Sequence, residues 1–199
     1  EMPLGIEAGH FSPALRDDAL RADLLQRCGL GPDGVLLLGI GRHHPEKRWP
    51  LVVRAARTAG RAAPVGLVQI GAGLASDPVA RAAKRANNVA LLPPVYDRAR
   101  LAAIMASADA LVHASEAEPF GLVAVEAVAS GLPLIVPDSG GSAEAAVPGA
   151  SLHYAARDQA ALTEAILTFA AADRAAMRNV AVEASAHVRT ARDHARDLI

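Results

Sequence analysis

Five short apolar runs recur along the 199-residue chain and constrain its fold more than any other feature. They are VLLLGI (35–40), VGLVQI (65–70), VALL (89–92), ALVH (110–113) and PLIV (133–136). Each run is continuously apolar instead of alternating with polar residues, which is typical of strands that are buried on both faces of a parallel sheet. We therefore predict that these runs are the strands of one parallel sheet.

The segments between the runs have helical character, and further helical segments lie towards both ends of the chain. The predicted helices span 13–28, 47–60, 75–87, 97–107, 119–130, 142–147, 157–171 and 173–197. This alternation predicts a doubly wound, Rossmann-like α/β fold with a parallel sheet. In such folds ligands bind outside the carboxyl ends of the strands, so a binding site is expected in the loops that follow the apolar runs.

The overall composition argues against several functions. A formal net charge of -1 and an isoelectric point near 6.7 leave no electrostatic footprint for nucleic acid or an anionic membrane. Aromatic residues make up only 3% of the chain, which argues against base-stacking platforms. The single cysteine, Cys28, excludes an internal disulfide and fits a reducing, cytoplasmic compartment. We expect no membrane span, because no uninterrupted apolar run approaches about 18 residues.

The loop after the first run, GIGRHHPEKRW, has the residues of an anion site. Gly41 allows close approach of the backbone, and Arg42 and Lys47 add two cations near a helix start, which suits a phosphate or diphosphate. The alternative is that both cations are solvated surface charges. His43 and His44 are adjacent and point in different directions, so we expect no metal site there.

The next two loops suggest contacts with a ring or a second close backbone approach. The sequence GAGLAS, from Gly71 to Ser76, nearly matches the dinucleotide fingerprint G-x-G-x-x-G/A but ends in serine and lacks the acidic residue about 20 positions later. An NAD(P)-binding Rossmann domain is therefore an alternative function. In LLPPVYD (91–97), Val95 or Tyr96 can pack on a ring, although a core position is the alternative for Tyr96.

The segment EPFGLVAVEAVASGLPLIVP (118–137) poses a question of charge. Glu126 is the only ionisable residue between its two outer prolines, and Glu118 stands at its start. A buried carboxylate costs several kcal/mol unless it is paired or hydrogen-bonded. Glu118 can complement a helix dipole and Glu126 can pair with a buried arginine. The other explanation is a ligand with vicinal hydroxyls, since a carboxylate accepts two hydrogen bonds from a sugar.

The loop after the fifth run, PDSGGSAE, carries two adjacent glycines before a predicted helix. Gly140 and the residue after it offer backbone N–H groups that form a concavity for an anion. A plain tight turn is the alternative.

Taken together and in order, four motifs resemble the C-terminal, donor-binding domain of a retaining GT-B glycosyltransferase of the group 1, or family 4, type. GRHHPEK is similar to the G-R-x4-K clamp, and IGAG is similar to the G-x-G turn. SEAEPFGLVAVEAVASGLPLIVPDSGG matches the E-x7-E motif with its following G-x-P and Gly-Gly turn. MPLGIEAGHFSP (2–13) resembles the interdomain connection.

The resemblance implies roles for the acidic segment. The carboxylate of Glu126 would bind the ribose hydroxyls of a nucleotide sugar, and Glu118 would contact the donor sugar near the reacting centre. Backbone N–H groups of Phe120, Gly121 and Leu122 would meet sugar hydroxyls and phosphate.

The resemblance also implies roles for the other loops. Arg42 and Lys47 would hold the diphosphate and stabilise its charge as it leaves, without a metal or another cofactor. Gly41 would allow the phosphate to approach, and the loop around Val95 would take the base. One departure is that Arg48 occupies a position that is often glycine in the family.

The expected organisation follows from the same resemblance. Residues 1–13 would be the interdomain connection, 14–172 the nucleotide-sugar-binding domain, and 173–199 a helix that crosses back to an N-terminal domain of the same polypeptide. That domain is missing from this chain and would hold most of the acceptor site and any peripheral membrane contact. We therefore expect an isolated chain that binds a nucleotide sugar but transfers no hexosyl group. A non-catalytic nucleotide-sugar-binding module is a further alternative.

Overall fold

A parallel sheet organises the part of the chain that the structure describes. The computed structural model describes residues 10–117 and 121–188. Its six-stranded sheet has the order β3-β2-β1-β4-β5-β6, and all neighbouring strands are parallel. The strands are β1 (Val35–Ile40), β2 (Val65–Ile70), β3 (Val89–Leu92), β4 (Ala110–Val112), β5 (Leu134–Pro137) and β6 (Ser151–Tyr154). The predicted α/β class and the strand character of all five apolar runs are confirmed.

Helices cover both faces of the sheet. They are α1 (Asp18–Arg27), α2 (Trp49–Ala59), α3 (Ser76–Ala83), α4 (Arg98–Ser107), α5 (Leu122–Ala129), α6 (Gly141–Glu144), α7 (Gln159–Ala171) and α8 (Arg174–Ser185). Short 3₁₀ turns span Pro13–Leu15 and Pro45–Lys47. Aspartates cap α1, α4, α7 and α8 by accepting backbone N–H groups of the first turn, which fixes where these helices begin. Within residues 10–117 and 121–188, no helix has the length and apolarity that a membrane crossing requires.

The core has two halves, one on each face of the sheet. Along β1, Leu36 and Leu38 pack with α1, α4 and α5, whereas Val35 and Leu37 pack with α2, α3 and α7. All four side chains are buried, as expected for a strand with helices on both sides. Cys28 belongs to the first half, and burial raises the pKa of its thiol to about 11, which makes it an unreactive core residue.

Two elements differ from the sequence-based prediction. Strand β6 was not predicted, because its sequence SLHY mixes polar and apolar residues at the edge of the sheet. The last helix, expected over 173–197, ends at Ser185, where the Ala186 N–H bonds to the carbonyl of Glu183. Helix α8 lies against α5, and its Arg178 donates to the carbonyls of Ala106 and Ala108 at the end of α4.

Candidate functional site

The loops after β1 and β2 pack directly on each other at the carboxyl edge of the sheet. The two strands are in register from Val35 with Val65 to Ile40 with Ile70, so they end at the same level. A side chain on Gly71 would collide with the carbonyl oxygen of Gly41. The glycine is therefore explained by the neighbouring loop, whose backbone occupies the space that a side chain would need.

A buried tryptophan supports the loop that carries Arg42. The Nε1 of Trp49, at the start of α2, donates a 3.0 Å hydrogen bond to the carbonyl oxygen of Arg42. The Arg42 side chain projects into solvent with 79% of its surface exposed. Lys47 ends the 3₁₀ turn that follows, so both predicted phosphate-binding cations lie in the segment between β1 and α2. Sequence analysis missed the supporting role of Trp49.

The two adjacent histidines have separate surroundings. His43 is buried, with Nδ1 at 2.8 Å from the Ser76 hydroxyl and Nε2 at 2.6 Å from Gln69 Oε1. His44 is exposed and lies 3.4 Å from a carboxylate oxygen of Glu46. Among the residues that the structure describes, no three histidine, cysteine or acidic side chains are grouped as metal ligands would be.

A cavity of about 500 Å³ lies between the loops that follow β1, β2 and β3. Its lining residues are Ile40, Gly41, Arg42, Ile70, Gly71, Ala72, Gly73, Pro94, Val95, Tyr96 and Leu101. The structure thus brings the predicted residues Gly41, Arg42, Gly71 and Val95 together. Tyr96 is 89% exposed, so the alternative that it belongs to the core is wrong. The walls are mainly apolar and suit a flat, partly apolar group.

Helix α5 places Glu126 near an arginine, but this arginine is half exposed and not buried as the structural explanation expected. A carboxylate oxygen of Glu126 lies 3.7 Å from a guanidinium nitrogen of Arg98, the first residue of α4. Half of the Arg98 side chain is exposed, and its guanidinium sits 5.5 Å from the ring centre of Phe11. The Glu126 side chain retains 18% exposure. An ion pair of this length to a half-exposed arginine contributes little to stability.

The loops after β4 and β5 also pack on each other. Gly121 precedes α5 in the left-handed region, with φ of 55°, and a side chain there would press on the carbonyl of Gly141. Gly140 has φ of 87°, and a side chain on it would lie 2.6 Å from the carbonyl oxygen of Glu116. Leu122, the first residue of α5, is 39% exposed. The predictions for Glu118 and Phe120 lie outside the described residues.

Glu116 is a residue of this edge that sequence analysis missed. One of its carboxylate oxygens lies 3.0 Å from Arg48, and the other lies 2.8 Å from Nη2 of Arg157. The guanidinium groups of Arg157 and Arg48 lower the pKa of Glu116 to about 2. Arg48 adopts φ of 50°, the left-handed conformation that explains why glycine is common at this position in the family that the sequence resembles. Arg157 follows the unpredicted strand β6, so no pattern in the sequence pointed to this pairing.

The predicted residues form two groups, one after β1, β2 and β3 and one after β4 and β5. Gly41, Arg42 and Lys47 follow β1, and the loops with Gly71 and Val95 continue this group over β2 and β3. The second group follows β4 and β5, with Gly121, Leu122 and Glu126 on or beside α5, and Gly140 before α6. Strand order reverses between β1 and β4, and this switch point is where open α/β sheets bind ligands.

Comparison with known proteins gives a consistent family. A family model described as "Glycosyl transferases group 1" matches residues 34–172. A GDP-mannose-dependent alpha-mannosyltransferase of Mycobacterium tuberculosis is 36% identical over 150 residues. The match covers 72% of this chain and 35% of that relative, so the chain spans about a third of the length of that curated protein.

Solved structures share the fold. Sucrose-phosphate synthase from Thermosynechococcus elongatus aligns with a TM-score of 0.81 and 25% identity over 98% of this chain and 50% of its own. The Anabaena protein Alr3699/HepE in complex with UDP aligns with a TM-score of 0.76 and 20% identity over 94% of this chain and 55% of its own.

Proposed function

The chain belongs to the group 1 glycosyl transferases, and we propose that it is the donor-binding domain of a retaining enzyme that transfers a hexosyl group from a nucleotide diphosphate sugar. One observation carries this proposal. On the two sides of the switch point of the sheet, the cations Arg42 and Lys47 follow β1, and the carboxylate of Glu126 lies on α5, which follows β4. Charges of opposite sign on the two sides suit a ligand with an anionic group and vicinal hydroxyls.

The diphosphate belongs beside Arg42 and Lys47. Arg42 is exposed at the end of β1, and its backbone is held by Trp49, so its guanidinium can reach a ligand without rearrangement of the loop. Gly41 lines the adjoining cavity and leaves room for the phosphate oxygens. When the bond to the sugar breaks, negative charge grows on the diphosphate, and the two cations stabilise it there. The proposal includes no metal and no other cofactor, since these side chains supply the positive charge.

The base belongs in the cavity between the β1, β2 and β3 loops. Its volume of about 500 Å³ and its apolar walls suit a nucleobase packed against Val95 and the backbone at Gly71. One relative is named for GDP-mannose, and one structural neighbour was solved with UDP.

The ribose and the sugar belong towards α5. Glu126 would accept hydrogen bonds from the two ribose hydroxyls, and Gly121 and Leu122 would present backbone N–H groups at the start of the helix. Gly140 would extend this surface from the β5 loop. Glu118 and Phe120 keep the roles that the family resemblance implies for them, contact with the donor sugar and donation from the backbone.

Transfer itself requires more than this domain. We propose that 14–172 is the nucleotide-sugar-binding domain, that 1–13 leads to a second domain of the same polypeptide, and that 173–199 returns to it. The second domain would supply the acceptor site and any peripheral membrane contact, so the isolated chain would bind the donor without transferring it. The enzyme is proposed to act in the cytoplasm.

Two other functions are weaker. An NAD(P)-binding domain would use Gly71 and Gly73 for contact with a dinucleotide, but the fingerprint ends in Ser76 and lacks the acidic residue about 20 positions later. A non-catalytic module would bind the same nucleotide sugar, and only the transfer activity of a longer polypeptide separates it from the enzyme.

Calorimetry with UDP, GDP and ADP, each beside its parent nucleoside, tests the proposed function. At least one diphosphate should bind more tightly than its nucleoside, with a clear salt dependence. Replacing both cations by Arg42→Ala and Lys47→Ala should weaken the diphosphate by about tenfold or more and flatten the salt dependence, because each cation contributes a charged hydrogen bond.

The matched control is Arg61→Ala with Lys84→Ala. These exposed residues follow α2 and α3, so they lie near the opposite edge of the sheet and change the net charge equally. Diphosphate affinity should be retained in this control. The proposed function would be contradicted if both double variants lost diphosphate affinity equally. It would also be contradicted if the wild type bound no diphosphate more tightly than its nucleoside.

A further inference from the structure

One carboxylate joins three loops at the ligand-binding edge of the sheet. Glu116 follows β4, Arg48 lies between β1 and α2, and Arg157 lies between β6 and α7. Arg157 grips Glu116 with two nitrogens, Nη2 at 2.8 Å and Nε at 3.0 Å from the same oxygen. Glu116 is 18% exposed and Arg48 25% exposed, so this part of the network is shielded from solvent screening.

Arg48 lies between the 3₁₀ turn that ends at Lys47 and helix α2, and it caps both. Its N–H bonds to the carbonyl of Pro45, and its own carbonyl accepts from Leu51 and Val52 in α2. Its backbone has φ of 50° and ψ of 32°, which is unfavourable for a residue with a Cβ and persists only where the surroundings enforce it. The ion pair with Glu116 is a long-range contact that supplies such enforcement.

Side-chain contacts within the turn are local, since Glu46 lies 3.4 Å from His44 and 4.0 Å from Arg42. Pro45–Lys47 is a single 3₁₀ turn, and His44 at its N-cap makes no capping hydrogen bond with its side chain. Trp49 anchors the beginning of α2 on the other side of Arg48. Because Arg48 follows Lys47 directly, the contact of its side chain with Glu116 helps to hold the turn that carries Lys47.

We propose that Glu116 is a positioning residue for the diphosphate site: through Arg48 it fixes the turn that presents Lys47. This inference rests on the proposed function, because it assigns Glu116 a task only if Lys47 meets a phosphate. Glu116 itself touches no substrate. Arg157 also holds this carboxylate, from the loop that follows the edge strand β6.

A change of charge at Glu116 separates two effects on diphosphate binding, the positioning of Lys47 and the overall electrostatic field of the site. Glu116→Gln makes the edge more positive, so a field effect alone would tighten diphosphate binding. Positioning predicts the opposite, a loss of about tenfold in diphosphate affinity with nucleoside affinity unchanged, because a displaced cation no longer meets the phosphate. The measurement is calorimetry with UDP, GDP and ADP and their nucleosides.

Two further variants complete the test. Glu116→Asp keeps the charge but shortens the arm, so positioning predicts a partial loss of about threefold and a field effect predicts none; this variant decides the question if Glu116→Gln does not fold. Glu164→Gln removes an exposed carboxylate on α7 and should leave both affinities unchanged.

The outcomes distinguish this inference from the function on which it rests. Diphosphate affinity that is unchanged or increased in Glu116→Gln, with a wild type that prefers the diphosphate, overturns the positioning role alone. Parallel losses for nucleoside and diphosphate would also overturn it, since they indicate general damage to the fold. A wild type with no diphosphate preference would overturn both.

Discussion

At the scale of single residues, the carboxylate of Glu126 in an apolar segment has two explanations, one structural and one functional. The first is structural, because Arg98 provides a counter-charge at 3.7 Å. The second is functional, because the Glu126 side chain keeps 18% exposure and is therefore accessible to a ligand. Removal of the arginine and removal of the charge should therefore have different effects.

Glu126→Gln should weaken the binding of the preferred nucleoside diphosphate by about tenfold, because a charged acceptor for the ribose hydroxyls is lost. Its effect should vanish for the matching 2′,3′-dideoxynucleoside diphosphate, which has no hydroxyls to donate. Arg98→Ala is the control and should change the affinity little. Calorimetry of the wild type and of Glu126→Gln, each with the nucleoside diphosphate and with its 2′,3′-dideoxy form, measures the coupling between the carboxylate and the hydroxyls. Equal losses for both ligands would make the carboxylate structural.

At the scale of elements, α8 acts as a cap on α4. The last carbonyls of a helix have no partners within it, and Arg178 donates to two of them, at 3.0 Å to Ala108 and 2.6 Å to Ala106. Burial lowers the pKa of this guanidinium, and the hydrogen bonds compensate for its desolvation. Since α8 also packs on α5, the contact ties the helix with Glu126 to the rest of the domain.

Arg178→Ala should reduce the free energy of unfolding by about 1–3 kcal/mol, the usual cost of leaving buried acceptors without donors. Urea unfolding followed by circular dichroism measures the change. Arg81→Ala, which removes an exposed arginine of α3, is the control and should be nearly neutral. Comparable stability of the two variants would show that α8 contributes no cap.

The elements also show which features a sequence can predict. The apolar runs predicted five strands because burial on both faces leaves a continuous pattern, whereas edge strand β6 needs no such pattern and was missed. Arg42 and Lys47 were predicted because topology alone places the loop after β1 at the ligand-binding edge. The pairing of Glu116 with Arg48 and Arg157 was not predicted, since it joins side chains 68 and 41 positions apart.

At the scale of the whole molecule, Glu116 links the two halves of the sheet. Arg48 follows β1, the start of the β1–β2–β3 half, and Arg157 follows β6, the last strand of the other half. Because one carboxylate serves both contacts, its protonation should weaken the connection between the halves at once.

This connection gives a pH dependence with a defined sign. The pKa of Glu116 falls from an ordinary 4.5 to about 2 in the folded state. Its stabilisation is therefore fully present above pH 4.5 and is lost as the pH falls through the folded value of about 2. The difference in unfolding free energy between wild type and Glu116→Gln should be constant at neutral pH and shrink between pH 4.5 and 2. Urea unfolding at several pH values measures it, and a constant difference across the range would contradict the linkage.

Trp49 has a practical consequence that follows from its position. It is the only tryptophan in the sequence, it is buried, and its indole N–H bonds to the carbonyl of Arg42. Indole emission responds to changes in polarity and hydrogen bonding, so the chain has an intrinsic fluorophore directly behind the loop that is proposed to meet the phosphates. Titrations can thus be followed optically on the unlabelled protein, with a signal from the residue that supports that loop.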